Sequence, residues 1–273
     1  MSQPPLVEMI GIEKHFGGVR AVDHVSLDLF PGEVVGVLGH NGAGKSCLMR
    51  ILAGAMIPNA GEIRVNGSPV SFADPNDARE AGIETIYQTL ALADHLDAPS
   101  NLFLGRELKT RLGNLDDARM LAESRKVLAR LNPNFKNLQD PVSSLSGGQR
   151  QVIAIARAIY FDTRVLIMDE PTAALGPSET AMVADLIRQL QSEGIGILLV
   201  SHDMHDVFDL CDRVVVMNKG SLGGTHDIDA VTKDDVLSLI VKGELPADWS
   251  AVADFSGRQV PLRRRVWRRN NLG

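Results

Sequence analysis

The first forty residues of the chain alternate apolar and polar positions, as in "VSLDLF" at Val25–Phe30. This period of two is typical of antiparallel strands with one buried face. The run "EVVGVLG" at Glu33–Gly39 is instead continuously apolar, and similar runs follow at Arg164–Glu170, Gly194–His202 and Arg213–Gly220. Strands that are covered on both faces of a parallel sheet have this pattern. The sequence therefore predicts a small antiparallel β layer followed by a parallel sheet.

Helical periodicity separates these apolar runs. "KSCLMRILAG" begins at Lys45, "SETAMVADLIRQLQSEG" begins at Ser178, which we expect to be an N-cap, and "DMHDVFDLC" follows His202. The alternation of strands and helices predicts an α/β fold with a three-layer core. From about residue 90 to 162 the chain has helical periodicity without a buried strand. We therefore predict a helical subdomain inserted into one domain that spans residues 1–245.

The composition narrows the class of protein. Hydrophobic residues make up 44% and charged residues 23% of the 273 residues, which is ordinary for a globular domain. The apolar runs fall short of the roughly 20 residues that span a bilayer, and the N-terminus lacks the pattern of a secretory signal. We therefore expect Cys47 and Cys211 to be free thiols in a reducing compartment.

The end of the chain differs from the rest in charge. Residues 256–273 contain six Arg and no acidic residue, whereas the whole chain has a formal net charge of -6. We expect residues 246–273 to form a basic tail, and three interpretations of it stay open. It is a solvated disordered end, a segment attracted to anionic lipid with Trp267 at the interface, or a nucleic-acid contact. Because the body is acidic, nucleic acid is not expected as a partner.

A phosphate-binding loop follows the first buried strand and directly precedes a helix. The stretch "GHNGAGKS" has the pattern of Gly, four residues and Gly-Lys-Ser. Glycines let backbone N–H groups converge on phosphates, Lys45 reaches the β and γ phosphates, and Ser46 ligates Mg²⁺. We expect the phosphate-bearing cofactor to contact the whole loop, namely Gly39, His40, Asn41, Gly42, Ala43, Gly44, Lys45, Ser46 and Cys47.

Two acidic residues end the apolar run "VLIMDE", at the edge of the sheet where ligands of parallel sheets bind. Asp169 is expected to hold Mg²⁺ through water, and Glu170 to orient and polarise the water that attacks the terminal phosphate. Without the phosphate loop, such a pair would be interpreted as a solvated strand end. With the loop, the sequence predicts a phosphoryl-transfer site that binds phosphates and Mg²⁺.

A second glycine pair lies about a hundred residues later, in "LSGGQRQ" at Leu145–Gln151. With this stretch added, roughly residues 6–243 resemble the ATP-binding subunits of ABC transporters. The resemblance implies a head-to-tail dimer in which a signature segment contacts the γ phosphate of ATP on the partner subunit's first loop. A helix N-terminus with glycines offers N–H donors to an anion without obstruction. The signature residues are Ser146, Gly147, Gly148 and Gln149.

The resemblance implies roles for further residues. Phe16 matches the aromatic residue that stacks on adenine, with a core phenylalanine as the alternative. Gln88 matches a glutamine that senses Mg²⁺ and water, which makes it both a catalytic and a metal-binding candidate, and His202 matches a catalytic histidine that hydrogen-bonds the γ phosphate. Two positions depart from the family pattern. Gly176 replaces an Asp that communicates across the dimer, and Cys47 is either a packing thiol or a redox-sensitive thiol of lowered pKa.

Three loop sequences resemble the ATPases of monosaccharide importers of the ribose, xylose and fructose type: "IYQTLALADHL", "NLFLGRE" and "DEPTAALGPSE". The resemblance implies two ATPase subunits below two transmembrane permease subunits, an extracytoplasmic sugar-binding protein, and a peripheral location at the cytoplasmic face of the cell membrane. Leu90 to Arg106 is expected to form the permease-docking groove. The alternatives are an importer ATPase for another small solute, a soluble ATPase acting on ribosomes or DNA, and a nucleotide-gated module without turnover.

Overall fold

The structure is a computed structural model that describes residues 4–136, 138–173 and 175–243, so the predicted basic tail lies outside the described residues. The elements are β1 (Val7–Phe16), β2 (Val19–Leu29), β3 (Val34–Leu38), α1 (Lys45–Leu52), β4 (Ala60–Val65), β5 (Ser68–Val70), α2 (Pro75–Glu80), β6 (Ile83–Ile86), α3 (Ala98–Leu102), α4 (Asp117–Leu131), α5 (Gly147–Ile159), β7 (Val165–Asp169), α6 (Pro177–Ser192), β8 (Gly196–Val200), α7 (Met204–Leu210), β9 (Arg213–Asn218), β10 (Ser221–Asp227) and α8 (Lys233–Lys242). Within those three ranges, no helix is long and apolar enough to cross a membrane.

The strands form two sheets, and the sequence pattern predicts both. β2, β1, β4 and β5 pair in that order as an antiparallel sheet. The second sheet has the order β10-β9-β3-β8-β7-β6, in which the five strands from β9 to β6 run parallel. β3 and β8 are buried at every residue, which explains why their sequences are continuously apolar. The predicted antiparallel layer and parallel core are confirmed.

Alternate residues of the parallel strands belong to two separate hydrophobic clusters. In β3, Val35 and Val37 pack in one cluster with residues of β1, β2 and α1. Val34 and Leu38 of the same strand pack in the other cluster with residues of α5 and α6. The parallel sheet is therefore covered on both faces, which makes it the middle of three layers and confirms the predicted fold class.

The chain between β6 and β7 is helical, as its periodicity predicts. Helices α3, α4 and α5 lie there and pack against one another. In their core, the ring of Phe103 meets the rings of Tyr160 and Phe161 edge to face, at centroid distances of 4.7 and 6.2 Å. The geometry agrees with an inserted helical segment, whereas its treatment as a subdomain with limits near residues 90 and 162 stays a prediction.

The start of α6 differs from the prediction. Ser178 was expected to be the N-cap, but the N-cap is Gly176 and Pro177 is the first helical residue. Proline suits that position because its φ is already helical and its missing N–H would have no partner there. The carboxylate of Glu179 then accepts a hydrogen bond from the N–H of Gly176 at 3.3 Å, which stabilises the first turn. The expected N-cap at Ser178 is therefore wrong by two residues.

Candidate functional site

The loop at residues 39–44 joins the buried strand β3 to α1, and its backbone requires glycine at two points. Gly39 and Gly44 have φ values of 147° and 104°, which L residues rarely adopt. A Cβ on Gly39 would lie 2.3 Å from the carbonyl oxygen of Met217, and one on Gly44 would lie 2.3 Å from that of Ala21. Packing of the loop against β9 and β2 therefore fixes its curvature.

Lys45 is the first residue of α1, and its ammonium group lies across the preceding loop. Nζ donates to the carbonyl oxygens of Gly39 and His40, at 2.6 and 3.2 Å. Partial burial lowers the pKa of Lys45, and the negative charges of Glu170 and Asp169 oppose that shift. An ammonium group beside backbone N–H groups at a helix N-terminus is a phosphate-binding arrangement. The structure thus brings the predicted loop lysine and both predicted carboxylates together.

β7 ends at Asp169, and the chain turns sharply at the next residue. Glu170 has a φ of 52°, and its N–H donates to the carbonyl oxygen of Val200 at 2.8 Å. Positive φ in a residue other than glycine is uncommon and is found at functional sites. Burial raises the pKa of Asp169, as does the Glu170 carboxylate, while Lys45 lowers it. The turn therefore holds two carboxylates of different environment at one edge of the sheet.

His202 follows β8, the strand next to β7, and its ring lies against Glu170. Nδ1 of His202 is 2.7 Å from Oε2 of Glu170, and the side chains are 77% and 17% exposed respectively. The hydrogen bond to Glu170 raises the pKa of His202, and the carboxylate charge adds to that effect. A cavity of about 260 Å³ adjoins the pair and is also lined by Thr172 and Asp206. The pair thus offers a shielded carboxylate and an accessible imidazole to the same space.

The signature segment forms the first turn of α5. Ser146 is the N-cap: its Oγ accepts from the N–H of Gln149 at 3.3 Å, and its own N–H donates to Oε1 of Gln149 at 3.0 Å. Ser146 and Gly147 are exposed, whereas Gly148 is buried. The predicted helix start is confirmed, and Ser146 and Gly147 are the residues of the signature that it leaves exposed.

Gly148 has a structural reason to be glycine that the sequence did not reveal. Its N–H donates to Oε1 of Glu179 on α6 at 2.9 Å. A Cβ on Gly148 would lie 2.6 Å from Cε of Met182, closer than side chains tolerate. Within one subunit, Gly148 therefore lies close to α6. The contact of the signature with a nucleotide on a partner subunit stays a prediction.

Two further predicted residues, Phe16 and Gln88, lie on the surface. Phe16 ends β1 and is 52% exposed, and Nζ of Lys14 lies 5.5 Å from its ring centroid. This exposure rules out the alternative of a core phenylalanine. Gln88 lies just after β6 and is also exposed. Their roles toward adenine and Mg²⁺ stay predictions.

Cys47 is a packing thiol. Its Sγ lies 3.4 Å from Sδ of Met56, and burial raises its pKa. The raised pKa argues against the alternative of a redox-sensitive thiol with a lowered pKa, because removal from water disfavours the thiolate. Cys211 is fully buried, and both cysteines are free, as expected.

Arg157 on α5 is a residue that the sequence analysis missed. Its Nη1 donates to the carbonyl oxygen of Ala91 and its Nη2 to that of Leu90, both at 2.9 Å. These carbonyls lie just beyond Gln88, so the guanidinium group ties α5 to the segment that follows β6. The available signal was a single cation inside the apolar stretch "VIAIARAI", where a charge requires a dedicated partner.

Arg106, at the end of the expected docking groove, is part of a structural cluster. Its Nη2 donates to Oε1 of Glu84 at 2.7 Å, and its guanidinium group lies 3.9 Å from the ring centroid of Phe161. Glu84 is only 7% exposed. A change at Arg106 therefore disturbs the fold as well as the surface, and it is a poor probe of permease docking.

The buried strand, glycine loop, lysine and strand-end carboxylates define a P-loop nucleotide-binding domain. Residues 22–173 match the family described as ABC transporter. The fructose import ATP-binding protein FrcA of Rhizobium meliloti is 44% identical over 81% of this chain and 87% of that protein. The ribose import ATP-binding protein RbsA of Hahella chejuensis is 40% identical over 86% of this chain, which spans only 47% of that protein. The chain belongs to the ABC transporter family, as one of its ATPases.

A solved structure supports the fold independently of close sequence likeness. The chain is similar to the ADP conformation of MJ1267, an ATP-binding cassette of an ABC transporter, with a TM-score of 0.72. The sequence identity is 22%, and the match covers 86% of this chain and 94% of that one. At that identity the likeness shows the cassette fold and nothing finer.

Proposed function

We propose that this chain is the ATP-hydrolysing subunit of a monosaccharide importer. Two copies close on two ATP molecules and drive two transmembrane permease subunits. The observation that carries the proposal is the convergence of Lys45, Asp169, Glu170 and His202 at one edge of the parallel sheet. Fructose and ribose are the sugars in the names of the relatives, so a sugar of this size is the proposed solute.

In this function, each residue at the sheet edge has a separate role. The glycine loop and Lys45 bind the β and γ phosphates, and Glu170 orients the attacking water and accepts its proton. His202 is exposed and bonded to Glu170, so it donates toward the γ phosphate. Because Glu170 is shielded from bulk solvent, its interaction with the attacking water is stronger than it would be at an open surface.

The residues present fit a Mg²⁺ ion. Ser46 at the start of α1 and Asp169 at the end of β7 supply oxygen atoms, which Mg²⁺ prefers, with Gln88 as a further candidate. Among the residues that the structure describes, no group of three or more His, Cys, Asp or Glu could hold a metal alone. This agrees with a site that nucleotide phosphates and water complete. When bound, Mg²⁺ neutralises charge on the phosphates.

The signature supplies the second half of each ATP site. Ser146 and Gly147 are exposed at the N-terminus of α5, where the helix dipole favours an anion. In the proposed dimer they reach the γ phosphate on the partner subunit. The permease holds this dimer at the cytoplasmic face of the membrane, and an extracytoplasmic binding protein delivers the sugar.

The test of catalysis is Glu170→Gln, with Lys45→Ala as a control that removes nucleotide binding. Fluorescent ATP binding, dimerisation and phosphate release are measured on the full chain. We expect Glu170→Gln to keep ATP binding, to accumulate an ATP-bound dimer and to lose about 10²- to 10⁴-fold in turnover. Unchanged turnover would contradict the role of Glu170.

The test of the solute is uptake by the complex with its permease in vesicles. Labelled fructose, ribose and xylose are compared with an amino acid and a nucleoside, each with ATP and with Glu170→Gln as the inactive control. ATP-dependent uptake of one of the sugars supports the proposal. If only the amino acid or the nucleoside is taken up, the proposal that the solute is a sugar is wrong.

A further inference from the structure

Helices α5 and α6 begin beside each other, and one carboxylate lies between their first turns. Oε1 of Glu179 accepts the N–H of Gly148 at 2.9 Å, and Oε2 accepts the N–H of Gly176 at 3.3 Å. The first N–H groups of a helix have no partner within the helix. Hydrogen bonds lower the pKa of Glu179. The bond from the Gly148 N–H has the largest effect, followed by those from the Ser146 hydroxyl and the Gly176 N–H. One side chain thus binds the N-termini of two helices.

Close apolar packing reinforces this junction. A Cβ on Gly147 would lie 2.9 Å from Cδ2 of Leu175, and one on Gly148 would lie 2.6 Å from Cε of Met182. Leu175 belongs to the loop that follows Glu170. The signature therefore rests, within one subunit, on the segment that continues directly from the proposed catalytic carboxylate.

We propose that Glu179 is a positioning residue that holds the phosphate-facing end of α5 against α6. It thereby links the signature, which acts on the partner subunit's ATP, to the loop that carries the subunit's own Glu170. The inference rests on the proposed dimer. A simple helix cap would account for the bond to Gly176, but it would not account for the second oxygen on Gly148.

The experiment compares variants in the Glu170→Gln chain, which holds ATP without turnover. Glu179→Ala removes both acceptors, and Glu179→Gln keeps one for Gly148. Asp185→Asn removes a charge from the same helix at a side chain that is 78% exposed, as the control. ATP-driven dimerisation is measured by analytical ultracentrifugation, and binding of a fluorescent nucleotide to the monomer is measured separately.

We expect Glu179→Ala to weaken dimerisation by about tenfold, the equivalent of one charge-assisted hydrogen bond. Nucleotide binding by the monomer should stay unchanged, because the phosphate loop is on the same subunit but the signature acts on the other. Glu179→Gln should recover part of the loss, because it keeps a neutral acceptor for Gly148, and Asp185→Asn should behave like the parent chain. A general loss of folding would not separate the two measurements in this way.

Two results would overturn the inference. One is a Glu179→Ala dimer as strong as that of the parent chain, or stronger. The other is an equal loss in Glu179→Gln, since that would assign the effect to charge and not to position. Hydrogen exchange of residues 146–150 in the nucleotide-free chain tests the contact without assembly. We expect about tenfold faster exchange in Glu179→Ala, and unchanged exchange would also contradict the inference. If the parent chain does not assemble with ATP, the proposed function fails, and exchange still decides whether Glu179 holds α5.

Discussion

Replacement of Arg157 by Met tests whether α5 is fixed to the segment after Gln88. The change removes one partly buried hydrogen bond to Leu90 and one exposed hydrogen bond to Ala91. Hydrogen bonds from charged donors contribute about 1.5–3 kcal/mol. We take about 1.5 kcal/mol for the partly buried bond to Leu90 and about 0.5 kcal/mol for the exposed bond to Ala91. Met keeps most of the apolar contact of the side chain. The expected loss is therefore about 2 kcal/mol, or roughly 4–8 °C in melting temperature for a chain of this size.

The assay is a thermal melt of the full chain, together with fluorescent ATP binding and phosphate release. Arg125→Met, an exposed position on α4, is the control for loss of a cation in the helical segment. We expect Arg157→Met to keep ATP affinity, because the phosphate loop is untouched, and to lower turnover through the released Gln88 segment. A melting temperature equal to that of Arg125→Met would refute the claim that Arg157 fixes this segment.

Three further changes have expected outcomes. Gly44→Ala should weaken the affinity for fluorescent ATP by more than about tenfold. A left-handed backbone costs about 1–2 kcal/mol, and the added Cβ would lie 2.3 Å from the carbonyl oxygen of Ala21. Unchanged affinity would contradict this steric argument. The pKa of His202 is raised above 6.5, so the bond to Glu170 stabilises the fold below that pH and is lost as the pH rises through the folded-state pKa. The difference in melting temperature between wild type and His202→Ala should therefore shrink with rising pH. A difference that does not change with pH would contradict this role of the bond. Arg106→Glu should lower the free energy of unfolding by roughly 2 kcal/mol, which is less than for a fully buried pair because Arg79 stays 3.6 Å from Glu84. Thermal melts should show no such loss for the exposed Arg111→Glu control. Equal losses in the two variants would disprove the role of the contacts between Arg106, Glu84 and Phe161.

The sequence allowed prediction of the elements whose pattern reports burial directly. β3 and β8 are apolar at every position because both faces are covered, and the phosphate loop is recognisable because its glycines and lysine occupy fixed spacings. The bond between His202 and Glu170 follows from their places at the ends of neighbouring parallel strands, β8 and β7. Local pattern was sufficient for the strands and the loop, whereas the bond between His202 and Glu170 was not predicted, because it depends on the order of the strands in the sheet.

Other features depend on contacts between segments that are distant in the chain. The bonds of Arg157 to residues 90 and 91 cross more than sixty positions, and no local period predicts them. The α6 N-cap was misplaced because Ser178 is a common capping residue, whereas Pro177 and Glu179 together set the start at Gly176. For Cys47, position at a helix N-terminus suggested a thiol of lowered pKa, but partial burial raises the pKa.

The two signature glycines differ in the direction that each one faces. Gly147 is open to solvent and Gly148 is closed against α6, although the two are adjacent and identical in type. A side chain added at Gly147 therefore meets the outside of the subunit and the end of Leu175, while one added at Gly148 meets Met182 and the stem of Glu179, so that these α6 side chains must shift. We accordingly expect substitutions at this motif to act in two ways: at Gly147 on the surface offered to the proposed partner subunit, and at Gly148 on the packing of α5 against α6 within one subunit.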